Sequence, residues 1–126
     1  MASYSLAGLR ILILEDEPLI ALEVEELCRE NDASLIDICG SLTDCEAVMQ
    51  RTYDLALVDL ILRGESAIGF ACRLNRAGAR LVFTTGSQEG MDLARNFPGV
   101  PVVMKPYTAA GLLEAIGSAL SGSGSR

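Results

Sequence analysis

Four groups of polar residues in this sequence carry side chains suited to phosphate and metal chemistry. They are Glu15, Asp16 and Glu17; Asp59; Thr84 and Thr85 followed by Gly86; and Lys105 followed by Pro106. Carboxylates brought within a few ångströms of one another repel, so some must be protonated or share a cation. Hard oxygen donors in an open site suit Mg²⁺, which keeps several waters and takes its last ligands from a phosphate. A carboxylate can itself attack phosphorus and form an acyl phosphate. Such an in-line transfer needs the metal and a further cation to neutralise the transferring oxygens. Lys105 supplies the cation, and the Thr85 hydroxyl can donate to a phosphate oxygen. Taken singly, each group has a plainer reading: a charged helix start at the positive end of the helix dipole, a cap or turn residue, a turn, a loop. It is their occurrence together, in this order, that points to chemistry.

Each group immediately follows an apolar run, and those runs are the elements that must position them. Residues 9–14, 55–58 and 100–104 are short, rich in branched residues and bounded by turn formers, and residues 34–39 and 80–85 are two further candidates. Near-continuous apolarity without clean alternation marks strands buried on both faces of a parallel sheet. Between them the periodicity becomes helical. Pro18 suits a first turn, and Leu19, Ile20, Leu22, Val24 and Leu27 form a stripe to about Glu30. Thr43 or Asp44 is expected to cap a second helix reaching about Thr52. A third runs over 64–76, a weaker fourth over 87–96, and Thr108 caps a fifth with Leu112, Leu113 and Ile116 on its apolar face. Strand and helix alternating five times predicts a parallel sheet covered on both faces. Ligands bind such sheets at the carboxyl ends of the strands, which is where all four groups fall.

Composition narrows the possibilities. The 126 residues fit one domain; half are apolar, 21% are charged, and the mean hydropathy is +0.34. That is enough to build a core and too apolar for a disordered segment. No apolar run approaches the roughly 20 residues of a membrane span. The first residues lack the basic region and apolar core of a signal peptide. The expectation is a cytoplasmic protein with no membrane partner. A net charge of −7 with no histidine argues against direct nucleic-acid binding and removes histidine as base, nucleophile or metal ligand. Cys28, Cys39, Cys45 and Cys72 show no metal-type spacing and read as thiols behaving as small apolar groups. Residues 1–7 form a lead, 8–120 the domain, and 121–126 a flexible Gly/Ser tail.

Over residues 8–120 the sequence resembles the receiver domain of bacterial response regulators. The resemblance is carried by ILILEDEP at 11–18, LALVDL at 55–60, FTTG at 83–86 and VVMKPYT at 102–108. It implies an α/β fold of the flavodoxin/CheY-like kind: a doubly wound five-stranded parallel sheet, (βα)5, with strand order 2-1-3-4-5. It also implies Asp59 as phosphoacceptor, Thr85 as switch hydroxyl and Lys105 as the lysine of the site. Mg²⁺ would be held by Asp16, Asp59 and the carbonyl of Ile61, with Glu15 acting through water. The implied function is a phosphorylation-activated switch of a two-component system, not an enzyme beyond its own phosphoryl transfer and dephosphorylation. Its implied partners are a histidine kinase or phosphotransfer protein and a downstream protein effector, and phosphorylation is compatible with homodimer formation.

The segment after Asp59 lacks the usual proline and matches a variant group with a D-x-x-L-x-G-E-S pattern, although Ser87 replaces that group's aromatic. Val102 stands where a switch aromatic often lies, so readout is expected through backbone movement around residues 61–66 and 85–90. Tyr107 is expected to pack at the surface below the fifth helix. Two alternatives stay open on the residues alone. A Mg²⁺-dependent aspartyl-phosphate enzyme of the haloacid-dehalogenase type calls for a second acid two residues after the nucleophile, where this chain has Ile61. A receiver-like domain that is never phosphorylated would have lost an acid, the threonine or the lysine, and none is lost.

Overall fold

The computed structural model describes residues 5–122. Five strands form one parallel sheet: β1 (Arg10–Leu14), β2 (Leu35–Cys39), β3 (Leu55–Asp59), β6 (Arg80–Thr85) and β7 (Val102–Met104), in the order β2-β1-β3-β6-β7. Counting sheet strands alone, this is the expected 2-1-3-4-5. Two short strands, β4 (Ile61–Leu62) and β5 (Glu65–Ser66), make a separate antiparallel hairpin. The helices are α1 (Pro18–Glu30), α2 (Leu42–Val48), α3 (Ile68–Arg76), α4 (Gln88–Ala94) and α5 (Ala109–Gly122).

The period of two along the strands sorts the core into two layers. From β1, Ile11 and Ile13 join Leu55, Leu57 and Val82 against Val24 and Cys28 of α1 and Leu112 and Ile116 of α5. Leu12 and Leu14 join Ala56, Val58, Leu81 and Phe83 on the other face, against Cys45 of α2, Ala71 and Leu74 of α3 and Ala94 of α4. With helices on both faces, β3 is buried at every position. This is why its sequence reads as an unbroken apolar run. All four cysteines are free thiols, with Cys28, Cys39 and Cys45 buried.

The amino ends of the central strands are tied together by one acid. The Asp54 carboxylate accepts from the Arg10 backbone N–H at 2.8 Å and from its Nε at 3.2 Å. The Asp54 backbone N–H donates to the Arg10 carbonyl at 2.8 Å, and the Arg80 N–H donates to the Asp54 carbonyl at 3.0 Å. Hydrogen bonds from Arg10 hold the Asp54 carboxyl below its ordinary range.

The structure moves several expected boundaries. The second helix is capped by Ser41, whose Oγ accepts from the Asp44 N–H at 3.2 Å, and it ends at Val48. Neither Thr43 nor Asp44 is the cap, because both lie inside the first turn. The apolar stripe of α1 is narrower than its leucines suggest. Ala21, Val24 and Cys28 are buried, while Leu19 and Leu22 are 77% and 54% exposed. Of the lead, residues 1–4 lie outside the described residues, but Leu6 is fully buried and its N–H donates to the Asn31 carbonyl at 2.8 Å. Of the tail, Ser121 and Gly122 continue α5, and residues 123–126 lie outside the described residues.

The largest departure is the third helix, which starts at Ile68 and not at residue 64. The chain first turns back on itself at Arg63 and Gly64, with φ of 51° and 80°. Two consecutive positive φ values closing a two-residue hairpin loop define the tight turn whose twist suits paired strands. Ile61 pairs with Ser66 and Leu62 with Glu65. The Ala67 N–H then donates to the Leu60 carbonyl at 2.8 Å, which anchors the hairpin beside the end of β3. Gly64→Ala places a Cβ in a backbone region that L-residues enter only with strain. It should lower stability by about 1 kcal/mol, read as a lower urea midpoint at an unchanged slope. An unchanged midpoint would count against this turn.

Candidate functional site

Parallel pairing sets the ends of the strands at a common height, and the polar groups gather there. Ile13 of β1 is in register with Leu57 of β3, and Asp59 of β3 with Thr84 of β6. Thr85 of β6 is in register with Met104 of β7, and the Lys105 N–H donates to the Thr85 carbonyl at 2.8 Å. Glu15, Asp59 and Lys105 therefore stand one step beyond or at the ends of β1, β3 and β7, and the lysine reaches back across β6. Its Nζ lies 2.8 Å from Asp59 Oδ2 and 3.0 Å from Glu15 Oε2. Glu15 and Asp59 are each 4% exposed, so this ammonium is the main compensation for two acids held largely out of water.

Backbone N–H groups donate to the acids as well. Asp59 Oδ1 accepts from the Ile61 N–H at 3.2 Å, and Glu15 Oε2 accepts from the Glu17 N–H at 3.1 Å. Asp16 Oδ2 accepts from the Arg63 N–H at 2.7 Å, while Arg63 Nε donates to the Gly40 carbonyl at 3.1 Å. Burial pushes the Asp59 and Glu15 carboxyls above their ordinary ranges, against the pull of Lys105. Burial also disfavours the charge on Lys105, but its hydrogen bonds to Asp59 and Glu15 outweigh that and hold the ammonium above its ordinary value. The two directions are compatible: the lysine is the group that keeps its charge, and the acids are the groups under strain.

The donor set fits a hard divalent cation. Carboxylate oxygens of Glu15, Asp16 and Glu17 lie within 4.8 Å of one another, and Asp16 is close enough to raise the Asp59 carboxyl by repulsion. All are oxygen donors, as Mg²⁺ prefers over nitrogen or sulfur. The sequence leads one to expect Asp16, Asp59, Thr85 and Lys105 within reach of one another; the structure joins Asp59 to Lys105, adds Glu15 to that pair, and sets Asp16 near Asp59. Ile61 is half-buried beside them.

Thr85 is different. It is fully buried, but its hydroxyl faces Ser87. The Ser87 N–H donates to Thr85 Oγ1 at 3.3 Å, and Thr85 Oγ1 lies 3.5 Å from the Ser87 carbonyl. Tyr107, expected at the surface below the fifth helix, is half-buried and packs against the core layer shared by α1 and α5. Burial pushes its phenol up to about 12. Sequence reasoning missed Arg63 altogether, since a backbone N–H carries no signal of side-chain type. An open hollow of about 710 Å³ lies elsewhere, between α3 and the connection from α4 to β7. None of these polar groups lines it.

Among the described residues no helix is long and apolar enough to cross a membrane. No family model matches the chain. The transcriptional regulatory protein PdtaR of Mycobacterium tuberculosis is 28% identical over 116 residues, covering 89% of this chain and 57% of that protein. The chain spans about half the length of the curated relatives it matches. Among solved structures, SdrG from Sphingomonas melonis has a TM-score of 0.76 at 30% identity, covering 95% of this chain and 99% of that one. The REC domain of the PhyR response regulator from Erythrobacter litoralis has a TM-score of 0.72 at 28% identity, covering 90% and 91%. Sheet order, acidic rim and these likenesses agree, and the chain belongs to the receiver domains of response regulators.

Proposed function

We propose that this domain accepts a phosphoryl group on Asp59 from a phosphohistidine of a histidine kinase or phosphotransfer protein, and that the phosphorylated form signals through a protein contact or a further relay. The observation that carries this reading is the Lys105 ammonium held 2.8 Å from Asp59 and 3.0 Å from Glu15. An Asp59 oxygen attacks phosphorus in line, the P–N bond breaks, and the imidazole leaves carrying the bonding pair. The product is an acyl phosphate at Asp59. Lys105 neutralises charge on the transferring oxygens without giving up its proton, as expected of an ammonium held above its ordinary value. The Ile61 N–H orients the carboxylate through Oδ1.

Asp16, Asp59 and the Ile61 carbonyl would hold Mg²⁺ directly, and Glu15 through water. That ion supplies further charge neutralisation on the phosphoryl oxygens. Thr85 would donate to the phosphoryl group once its hydroxyl turns from Ser87. A second acid for the haloacid-dehalogenase type of hydrolysis would have to stand at position 61, where Ile61 offers only backbone groups. The domain is read as a switch that acts on its own phosphoryl group, in the cytoplasm, with a downstream protein effector and room for a phosphorylation-dependent homodimer. Curated relatives that extend well beyond the matched segment support an output lying outside these residues.

Incubation with acetyl phosphate and Mg²⁺ should add one phosphoryl mass to the parent and none to Asp59→Asn, because an amide is not a nucleophile toward phosphorus. Label retained in the variant would move the acceptor elsewhere. Asp16→Ala should weaken Mg²⁺ binding at least tenfold by calorimetry, since a hard cation loses a carboxylate donor. Equal affinity would remove Asp16 from the metal set.

Stability carries a third signature. The folded-state carboxyl of Asp59 lies above its ordinary value, so its ionisation opposes folding. That cost is present above the folded value and vanishes as pH falls below the ordinary one. Asp59→Asn should therefore melt higher than the parent at pH 7 without Mg²⁺, by roughly 4 °C for about 1 kcal/mol. The gap should shrink toward pH 4. A variant that melts lower at pH 7 would mean that the pairing with Lys105 outweighs the burial cost.

A further inference from the structure

The tip of the β4–β5 hairpin is tied to the sheet through one residue. Arg63 donates its backbone N–H to Asp16 Oδ2 at 2.7 Å and its Nε to the Gly40 carbonyl at 3.1 Å. Among the described residues, no other hydrogen bond joins residues 63 and 64 to the sheet. The anchor at the far end is well placed. Gly40 follows β2, and the preceding Cys39 carbonyl accepts from the Glu15 N–H at 3.0 Å. A Cβ built on Gly40 would stand in van der Waals contact with the Glu15 carbonyl oxygen, at 3.6 Å. Arg63 therefore runs from one acid of the rim to the main chain beside its neighbour.

The acid it holds is the one otherwise free to turn. Glu15 is fixed by Lys105 and the Glu17 N–H, and Asp59 by Lys105 and the Ile61 N–H. For Asp16, the Arg63 N–H is the only hydrogen bond among the described residues. That N–H sits on an exposed two-residue loop, and the bond from Nε to Gly40 is what keeps the loop tip over the acid. The turn itself gives no reason for an arginine, since a φ of 51° is a conformation that glycine enters more readily.

We infer that Arg63 is a positioning residue that holds Asp16 in one orientation, and that this clamp makes the site select Mg²⁺ over Ca²⁺. This role rests on Asp16 being a metal ligand. Mg²⁺ demands near-octahedral ligands at about 2.1 Å, whereas Ca²⁺ accepts about 2.4 Å, more ligands and looser geometry, often with both oxygens of one carboxylate. With Oδ2 engaged by the Arg63 N–H, Asp16 has one oxygen left to offer a cation, which suits the smaller ion. Release of the hairpin tip lets the carboxylate rotate and offer both oxygens, which suits the larger. Selectivity is thus set by a side chain that touches no metal.

The test titrates the full chain with Mg²⁺ and, separately, with Ca²⁺ by calorimetry, comparing the parent with Arg63→Gly and Arg63→Lys. Glycine keeps the turn and removes the tether, and relief of the left-handed φ offsets the greater freedom of its unfolded chain. Arg63→Gly should bind Mg²⁺ about tenfold more weakly and Ca²⁺ within about twofold of the parent, at a nearly unchanged urea midpoint. Arg63→Lys, whose ammonium can donate to the same carbonyl, should keep the parent's preference for Mg²⁺. Unchanged Mg²⁺ affinity in Arg63→Gly, or equal losses for the two ions, would overturn the inference, because the side chain would then serve the hairpin alone. Should Arg63→Gly not fold, Arg63→Asn takes its place with the same expectation, since asparagine tolerates the left-handed region and is too short to reach Gly40. Mg²⁺ binding in Asp16→Ala as tight as the parent's would refute the metal reading and the clamp together. Weaker binding there beside an unmoved Arg63→Gly would refute the clamp alone.

Discussion

The Lys105 ammonium between Asp59 and Glu15 is the interaction on which the rest of the site depends. Two carboxylates at the same buried rim would repel each other and lose hydration together, and neither cost is met by the apolar layers beneath them. A single cation reaching across β6 offsets both at once. Its position follows from the backbone: β7 is paired to β6 as far as Met104, and the next residue is anchored through its own N–H to the Thr85 carbonyl. Sheet register thus determines where the positive charge stands. It also explains why burial raises the acids while the lysine stays charged.

Around that charge, the acidic rim is supported mainly by main-chain donors. Ile61, Arg63 and Glu17 each lend a backbone N–H to one of the three acids. A main-chain donor is fixed by the fold and cannot swing away, so the carboxylates are oriented without further charge being added. The hairpin formed by β4 and β5 is what brings Arg63 to Asp16, and the left-handed turn at Arg63 and Gly64 is what allows so short a hairpin. The loop after Asp59 is therefore a built part of the site and not a slack connection.

Much of this was legible in the sequence, for identifiable reasons. The strands announce themselves because a sheet covered on both faces demands unbroken apolar runs, and the acids and lysine lie at their ends. The hairpin was not legible. Ile61 and Leu62 look like any apolar pair, and an arginine at positive φ gives no compositional cue. Leu19 and Leu22 misled because helical periodicity counts apolar residues without knowing which face the sheet covers; Ala21, Val24 and Cys28 take that place. The direction of the Thr85 hydroxyl lay further out of reach. It is set by the backbone of Ser87 two residues on, and a main-chain partner leaves no mark in residue type.

Asp54 gives the sheet a second point of fastening. At the pole opposite the acidic rim, its carboxylate and backbone fasten β1, β3 and β6 together through Arg10 and Arg80. At the rim itself, the Lys105 side chain bridges the ends of β1 and β3, and backbone bonds from Leu60 to Thr84 and from Lys105 to Thr85 continue the pairing with β6. A lattice fastened at both ends resists sliding of strand against strand. The strands serve as a stator, with the hairpin and α4 resting at its flank.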